Sequence, residues 1–295
     1  ARLHFSVHNH ALAVDFYRER VRFPFPSPAD EARVRLLFAR ALFYVEANAA
    51  AHAQAEQALS VARQAAGLDL RPWLERTAFY ALYANRFTPA ITHYEALLAE
   101  PGLTSRNLAK AWLALGYAYL RADRDEAARS ALEKALALSG DLTGSPAGPG
   151  RLVAFSPTRQ RLIALGLLAK VSEAPLVRAE LRAKRIEILA DLPEDLQAEL
   201  PLEEAERLTW LSKDWQRRAV ALAAAGGRLP LAAEAMREGL KVAQAWATET
   251  ETPAGPTIFR GLINFLSFAL AHPELNLTAP KLDRSVAAAR QALTA

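Results

Sequence analysis

Four groups of residues have types and spacings that could support chemistry. His4, His8 and His10 form the histidine cluster of the chain. On a helix His4 and His8 would share a face and could hold a divalent metal, but no fourth ligand accompanies them, and a solvated terminus is the competing reading. Asp123 and Asp125 are close enough for a metal pair, yet they fall in a short polar turn where acids cap the following helix. Ser145 to Gly148 resembles part of a nucleophile elbow without its Gly-x-Ser-x-Gly spacing. The glycines around it lack the Gly-Lys-Ser/Thr sequence that cradles phosphate. No catalytic residue, metal or cofactor is expected, and binding is favoured over catalysis.

The fourth group is cationic. Arg178, Arg182 and Arg185 recur along one face of a predicted helix beside Lys184, and Arg217 and Arg218 follow. Such a stripe is the raw material of phosphate contacts. Glu180 and Glu187 interrupt it, and the net charge of the chain is only +4, so nucleic acid is the alternative partner and not the first.

Composition limits what can position these groups. The chain has 295 residues, is 52% hydrophobic and is dominated by the helix formers Ala, Leu, Arg and Glu; period-two runs of β-branched and aromatic residues are scarce. An all-α protein is expected. There is no cysteine, which excludes disulfides and thiolate chemistry. The longest apolar run, Ile258 to Ala271, contains Arg260, Asn264 and Ser267, so no membrane span is expected. The chain opens on Ala1, which leaves room for a removed leader or upstream domain; a cytoplasmic location is the default expectation.

Self-similarity organises the first half. Between residues 109 and 142 the sequence carries Trp112, Leu115, Gly116 and Tyr119, a polar turn, then Ala128, Leu132, Ala135 and Leu136. The first four fit one face of a helix, with Gly116 allowing a close neighbour, and the last four fit the facing stripe of a second helix. Upstream, Leu74, Ala78, Ala81, Phe87, Ala90, Tyr94 and Leu98 take equivalent places, and before them Leu36, Ala39, Leu42, Ala51, Ala55, Ala58 and Leu59. Ala39 to Ala78 is 39 positions and Ala78 to Gly116 is 38; Ala51 to Ala90 is 39 and Ala90 to Ala128 is 38. Two separate markers keep one step.

The pattern resembles the tetratricopeptide repeat, with Gly140 in place of the usual terminal proline. The step exceeds that family's ~34 residues, the surplus lying in links that open with Gly67 and Gly102, each suited to the left-handed residue that ends a helix. A longer period of this kind is similar to the divergent repeats of some bacterial signal-responsive transcription regulators. The resemblance implies a right-handed α-solenoid of about six helix pairs: an N-terminal helix and three repeats over 1–142, a Pro/Gly-rich linker or lid over 143–157, and divergent repeats over 158–295. In that last part Leu165 and Gly166 mark one pair, and Ala219, Ala223, Gly226, Ala232 and Met236 mark another. Val220 stands where the family prefers a small residue. A last pair is expected at about 257–271 and 280–293.

The resemblance also implies a concave wall made by the first helix of each pair. Its inward positions fall on Arg33, Leu36, Arg40, Phe43 and Tyr44, then Glu75, Phe79, Leu82 and Tyr83, then Lys110, Leu113, Tyr117 and Arg121. Aromatics and cations together suit a protein or peptide partner, an acidic one included, that offers apolar anchors and carboxylates. Simple packing between neighbouring helices is the competing reading for Phe79 and Leu82. The function expected is a scaffold, sensor or peptide-recognition module; the oligomeric state is left open.

Overall fold

The computed structural model describes residues 9–140, 157–190, 204–249 and 256–275. Among these there are twelve α-helices, one short 3-10 helix at Pro273–Leu275, and no strand. The chain is an all-α solenoid divided into two compact units, residues 1–138 and 139–295. Within each unit, helices pack on their neighbours in sequence. The Pro/Gly-rich stretch over 143–157 lies outside the described residues, apart from Pro157, as do His4, His8 and the helix expected at 280–293.

The first unit holds α1 (His10–Arg20), α2 (Pro28–Tyr44), α3 (Asn48–Ala62), α4 (Arg71–Tyr83), α5 (Phe87–Ala99), α6 (Ser105–Arg121) and α7 (Asp125–Gly140), the last ending just past its boundary. Local chemistry fixes several starts. Asn9, Ser27 and Thr104 cap α1, α2 and α6 by accepting from the amides of Leu12, Asp30 and Asn107 at 3.3, 3.1 and 3.3 Å. Pro28 then supplies a preset first helical residue.

The ends of α2, α4 and α6 are built identically. Glu46, Asn85 and Asp123 adopt the left-handed conformation, with φ of 60°, 56° and 55°. After each, the next amide bonds back across the turn: Ala47 to the Leu42 carbonyl, Arg86 to Ala81 and Arg124 to Tyr119, at 2.9, 2.8 and 2.9 Å. This six-to-one bond closes a helix and reverses the chain. Asp123 therefore serves as the terminator of α6, while Asp125 and Glu126 sit in the first turn of α7, where the helix dipole favours acids. The expected left-handed glycines also appear, Gly67 at +74° and Gly102 at +78°.

The core lies where small residues meet. Ala39, Ala78, Ala51, Ala90 and Ala128 have no exposed surface. At the α6–α7 crossing, a Cβ on Gly116 would stand 2.7 Å from Cγ of Leu132, well inside contact distance. Tyr119 is buried and donates from its hydroxyl to Glu95 of α5, while Lys134 of α7 lies 4.2 Å over the Trp112 ring. Burial, then the hydrogen bond to Glu95 and its charge, push the Tyr119 phenol up to about 12.

The second unit holds α8 (Pro157–Val171), α9 (Pro175–Ala190), α10 (Glu204–Ala224), α11 (Leu229–Glu249) and α12 (Pro256–Ala271). Leu162, Leu189, Met236 and Phe265 fill its interior, and Gly226 and Gly227 make the tight α10–α11 turn with φ of 71° and 62°. Among the described residues no helix is long and apolar enough to cross a membrane.

Two stability outcomes follow. Gly116→Leu forces the α6–α7 crossing apart and is expected to cost roughly 1–3 kcal/mol, measured as a lower urea midpoint; an unchanged midpoint would contradict this crossing. Glu46→Gly removes left-handed strain from a residue with a side chain and is expected to stabilise by about 1 kcal/mol, with Asn85→Gly gaining less because Asn tolerates that conformation.

Candidate functional site

Three first helices of unit 1 present their last turns in the same register. Tyr44, Tyr83 and Arg121 each stand two residues before the left-handed terminator of α2, α4 and α6. Because that terminator fixes where each helix stops, it also fixes where these side chains emerge.

Aromatic contacts join the first two positions. The Phe43 ring lies 5.2 Å from Phe79, 5.5 Å from Tyr80 and 4.9 Å from Tyr83, and Phe79 lies 4.7 Å from Tyr83. Phe43 and Phe79 are half-buried and form the floor of the patch; Leu82 is half-buried as well. Tyr44 and Tyr83 rise from it, 48% and 52% exposed. His10 of α1 stacks on Tyr44 with centroids 4.4 Å apart and planes 13° from parallel. The Arg40 guanidinium stands 5.8 Å from the Tyr44 ring centre. Burial raises the pKa of the neighbouring Tyr80 phenol, an effect opposed by the charges of Arg76 and Arg40, which places both cations beside the cluster.

Other expected groove residues are engaged elsewhere. Lys110 of α6 is ion-paired with Glu75 of α4, at the wall of a small cavity of about 260 Å³. Arg33 is exposed near the start of α2, 4.0 Å from Asp30, and lies away from the aromatic patch at the other end of that helix. Arg121 donates to the Tyr117 hydroxyl at 3.2 Å and lies 4.9 Å over the ring of Phe87. Leu36 and Leu113 are half-buried. The structure thus gathers Arg40, Phe43, Tyr44, Phe79 and Tyr83 into one patch, makes a separate cluster of Tyr117 and Arg121, and ties Lys110 to Glu75.

The basic stripe of α9 differs from the outer face expected for it. Arg182 and Arg185 turn inward to Asp214 of α10, which is 1% exposed. Arg182 Nη1 donates to Asp214 Oδ1 at 2.7 Å and its Nη2 donates to the Gly166 carbonyl at 3.3 Å. Arg185 Nε stands 2.9 Å from Asp214 Oδ2, an ion pair not aligned as a hydrogen bond, and its guanidinium lies 5.1 Å from the Trp210 ring centre. Burial lowers the pKa of both arginines, Asp214 opposes that shift, and the nearby charge of Arg217 adds to it. Gly166 is the space that admits Arg185, because a Cβ there would meet its Nη1 at 2.1 Å. These two arginines leave the set of exposed phosphate contacts. The exposed charged residues of α9 are Glu180, Lys184 and Glu187, of mixed sign.

Sequence reasoning missed Asp214 as the partner of the stripe. Its signal was a lone acid among Lys213, Arg217 and Arg218, at a position that the helical period turns inward.

Asp214→Asn leaves two buried guanidinium groups without a counter-charge and is expected to cost about 3–5 kcal/mol, measured by chemical denaturation of the whole chain. Replacing all three charges with apolar residues, as Arg182→Met, Arg185→Met and Asp214→Leu, should recover most of that loss. A cost of Asp214→Asn below ~1 kcal/mol would place the pair in the class of solvated surface bridges.

No family model matches the chain, and no curated protein matches it. Among solved structures, BtubC (BKLC) from P. vanneervenii is similar, with a TM-score of 0.57 at 14% identity over 83% of this chain and 92% of that one. At that identity the similarity is one of fold.

Proposed function

We propose that unit 1 is a non-enzymatic peptide-recognition module of the tetratricopeptide kind, acting as a scaffold or sensor through the aromatic patch at the ends of α2 and α4. The observation that carries this reading is the exposure of Tyr44 and Tyr83 above a packed floor of Phe43 and Phe79. Exposed tyrosines braced by rigid neighbours offer large apolar area with little rotamer entropy left to lose. Arg40 and Arg76 next to them supply cations for a carboxylate. The partner is therefore a peptide segment bearing an aliphatic or aromatic anchor and an acidic residue close to it.

The patch is small, so its energy is expected to concentrate in the two tyrosines. Selection of binders from a random peptide library against the full chain should return sequences in which an apolar residue and an acid recur together. Tyr44→Ala/Tyr83→Ala is expected to weaken the selected peptide at least tenfold, or roughly 1.4 kcal/mol or more, with the helical circular dichroism unchanged. Arg40→Glu should shift the recovered sequences away from acids. Equal binding of the selected peptide by both variants and the parent chain would remove the patch from this role.

A further inference from the structure

Unit 2 contains a cleft of about 850 Å³ whose lining is polarised along α10. Lys213, Arg217, Val220 and Ala224 fall on one face of that helix at intervals of four, three and four residues, and all four are exposed. The first two are cations. The last two are apolar and span roughly 10 Å of helix beyond Arg217. Facing them, α9 contributes Arg178 and Arg182, and α12 contributes Asn264, Phe268 and Ala271.

The charge in this cleft is unbalanced. Among the described residues no carboxylate lines it; Asp214 is already shared by Arg182 and Arg185, and Glu274 is paired with the lining His272 at 3.3 Å. Among the described residues no ion pair is formed by Arg178, Lys213 or Arg217, and Arg178 Nε is shut off from solvent without an acceptor. The field of Arg217 reaches both buried arginines, disfavouring their charged forms. An anion placed there would relieve this repulsion.

The other end is apolar without being packed. Val220 is 57% exposed, although its neighbours Ala219 and Ala221 are buried in the core. A polar chain holds the walls in place: Asn264 Nδ2 donates to Gln216 Oε1 at 2.9 Å, Gln216 Nε2 to Ser212 Oγ at 3.2 Å, and Ser212 Oγ to the Gly239 carbonyl at 2.8 Å. These bonds join α10, α11 and α12, so the cleft is preformed. Its size and its mix of apolar wall with a few convergent charges match a small-molecule site.

We propose that this cleft binds a small amphipathic anion, with its carboxylate or similar head among Arg178, Lys213 and Arg217 and its aliphatic tail along Val220, Ala224 and Phe268. The site is separate from the peptide patch of unit 1, and the two readings can fail independently.

Titration calorimetry on the full chain with decanoate, octanoate, butyrate and decyltrimethylammonium, all below micelle formation, tests each half of the site. Decanoate is expected to bind one molecule per chain and about tenfold more tightly than octanoate. Butyrate, which lacks a tail, and decyltrimethylammonium, which has the opposite charge, are expected to bind at least tenfold more weakly than decanoate. Lys213→Glu/Arg217→Glu should reverse the preference between the two ten-carbon amphiphiles. The milder Arg217→Gln should weaken decanoate threefold or more, and Val220→Asn should do so without changing the head preference. Tyr44→Ala/Tyr83→Ala should leave decanoate binding as it is. Equal affinity for the two charge types, many molecules bound per chain, or decanoate affinity unchanged by both Arg217 variants would overturn the proposal.

Discussion

Helices can pair at short distance only where one of them gives up its side chain. In unit 1 this happens at Ala39, Ala78 and Gly116, against second helices whose Ala51, Ala90 and Ala128 are also fully buried. Crossings made from such residues sit at the near end of the usual 8–10 Å separation. A side chain of ordinary size then has no place at the crossing and is displaced to the faces of the pair. The aromatic patch is one product of that displacement. Phe43 lies four residues beyond Ala39 and Tyr83 five beyond Ala78, while Phe79 directly follows Ala78 and is half-buried beside the crossing. The left-handed residues at 46, 85 and 123 then reverse the chain within a few residues, so each pair begins its return at the same height.

Unit 2 meets the same geometric demand with charge. Gly166 vacates the space into which Arg185 folds, and Asp214 neutralises part of what would otherwise be a costly burial. Two guanidinium groups around one carboxylate leave a positive excess inside the unit. Its effect extends past the core, because Arg217 and Lys213 on the same helix have no described acid to answer them. The cleft inherits its polarity from this internal imbalance, as much as from the residues on its surface.

The two candidate surfaces therefore differ in kind. In unit 1, cations stand beside exposed rings on a shallow patch, which favours an extended partner that contributes its own shape. In unit 2, cations and apolar wall line a preformed cavity, which favours a compact ligand that fits inside. Both arise from helix faces that the core leaves uncovered, and both owe their rigidity to neighbours that are well packed.

Helices, their pairing and their repeat length were legible in the linear pattern, because a period near 3.6 and a fixed step of 38 or 39 residues are properties of spacing alone. The need for small residues at Ala78 and Gly116, and for left-handed glycines at Gly67 and Gly102, could be read in the same way, since each reflects a local steric limit. The α9 arginines could not. Whether Arg182 and Arg185 meet water or a carboxylate depends on Asp214, about thirty residues away and on another helix, and no local rule specifies which face of α9 that helix will cover. The same holds for Lys110, tied to Glu75, and for Val220, whose exposure is settled by how α10 and α12 are placed. Sequence determined the helices and their repeat, since those depend on nearest neighbours; the three-dimensional packing decided which charges are spent inside and which remain available to a ligand, since burial is a property of what arrives from elsewhere in the chain.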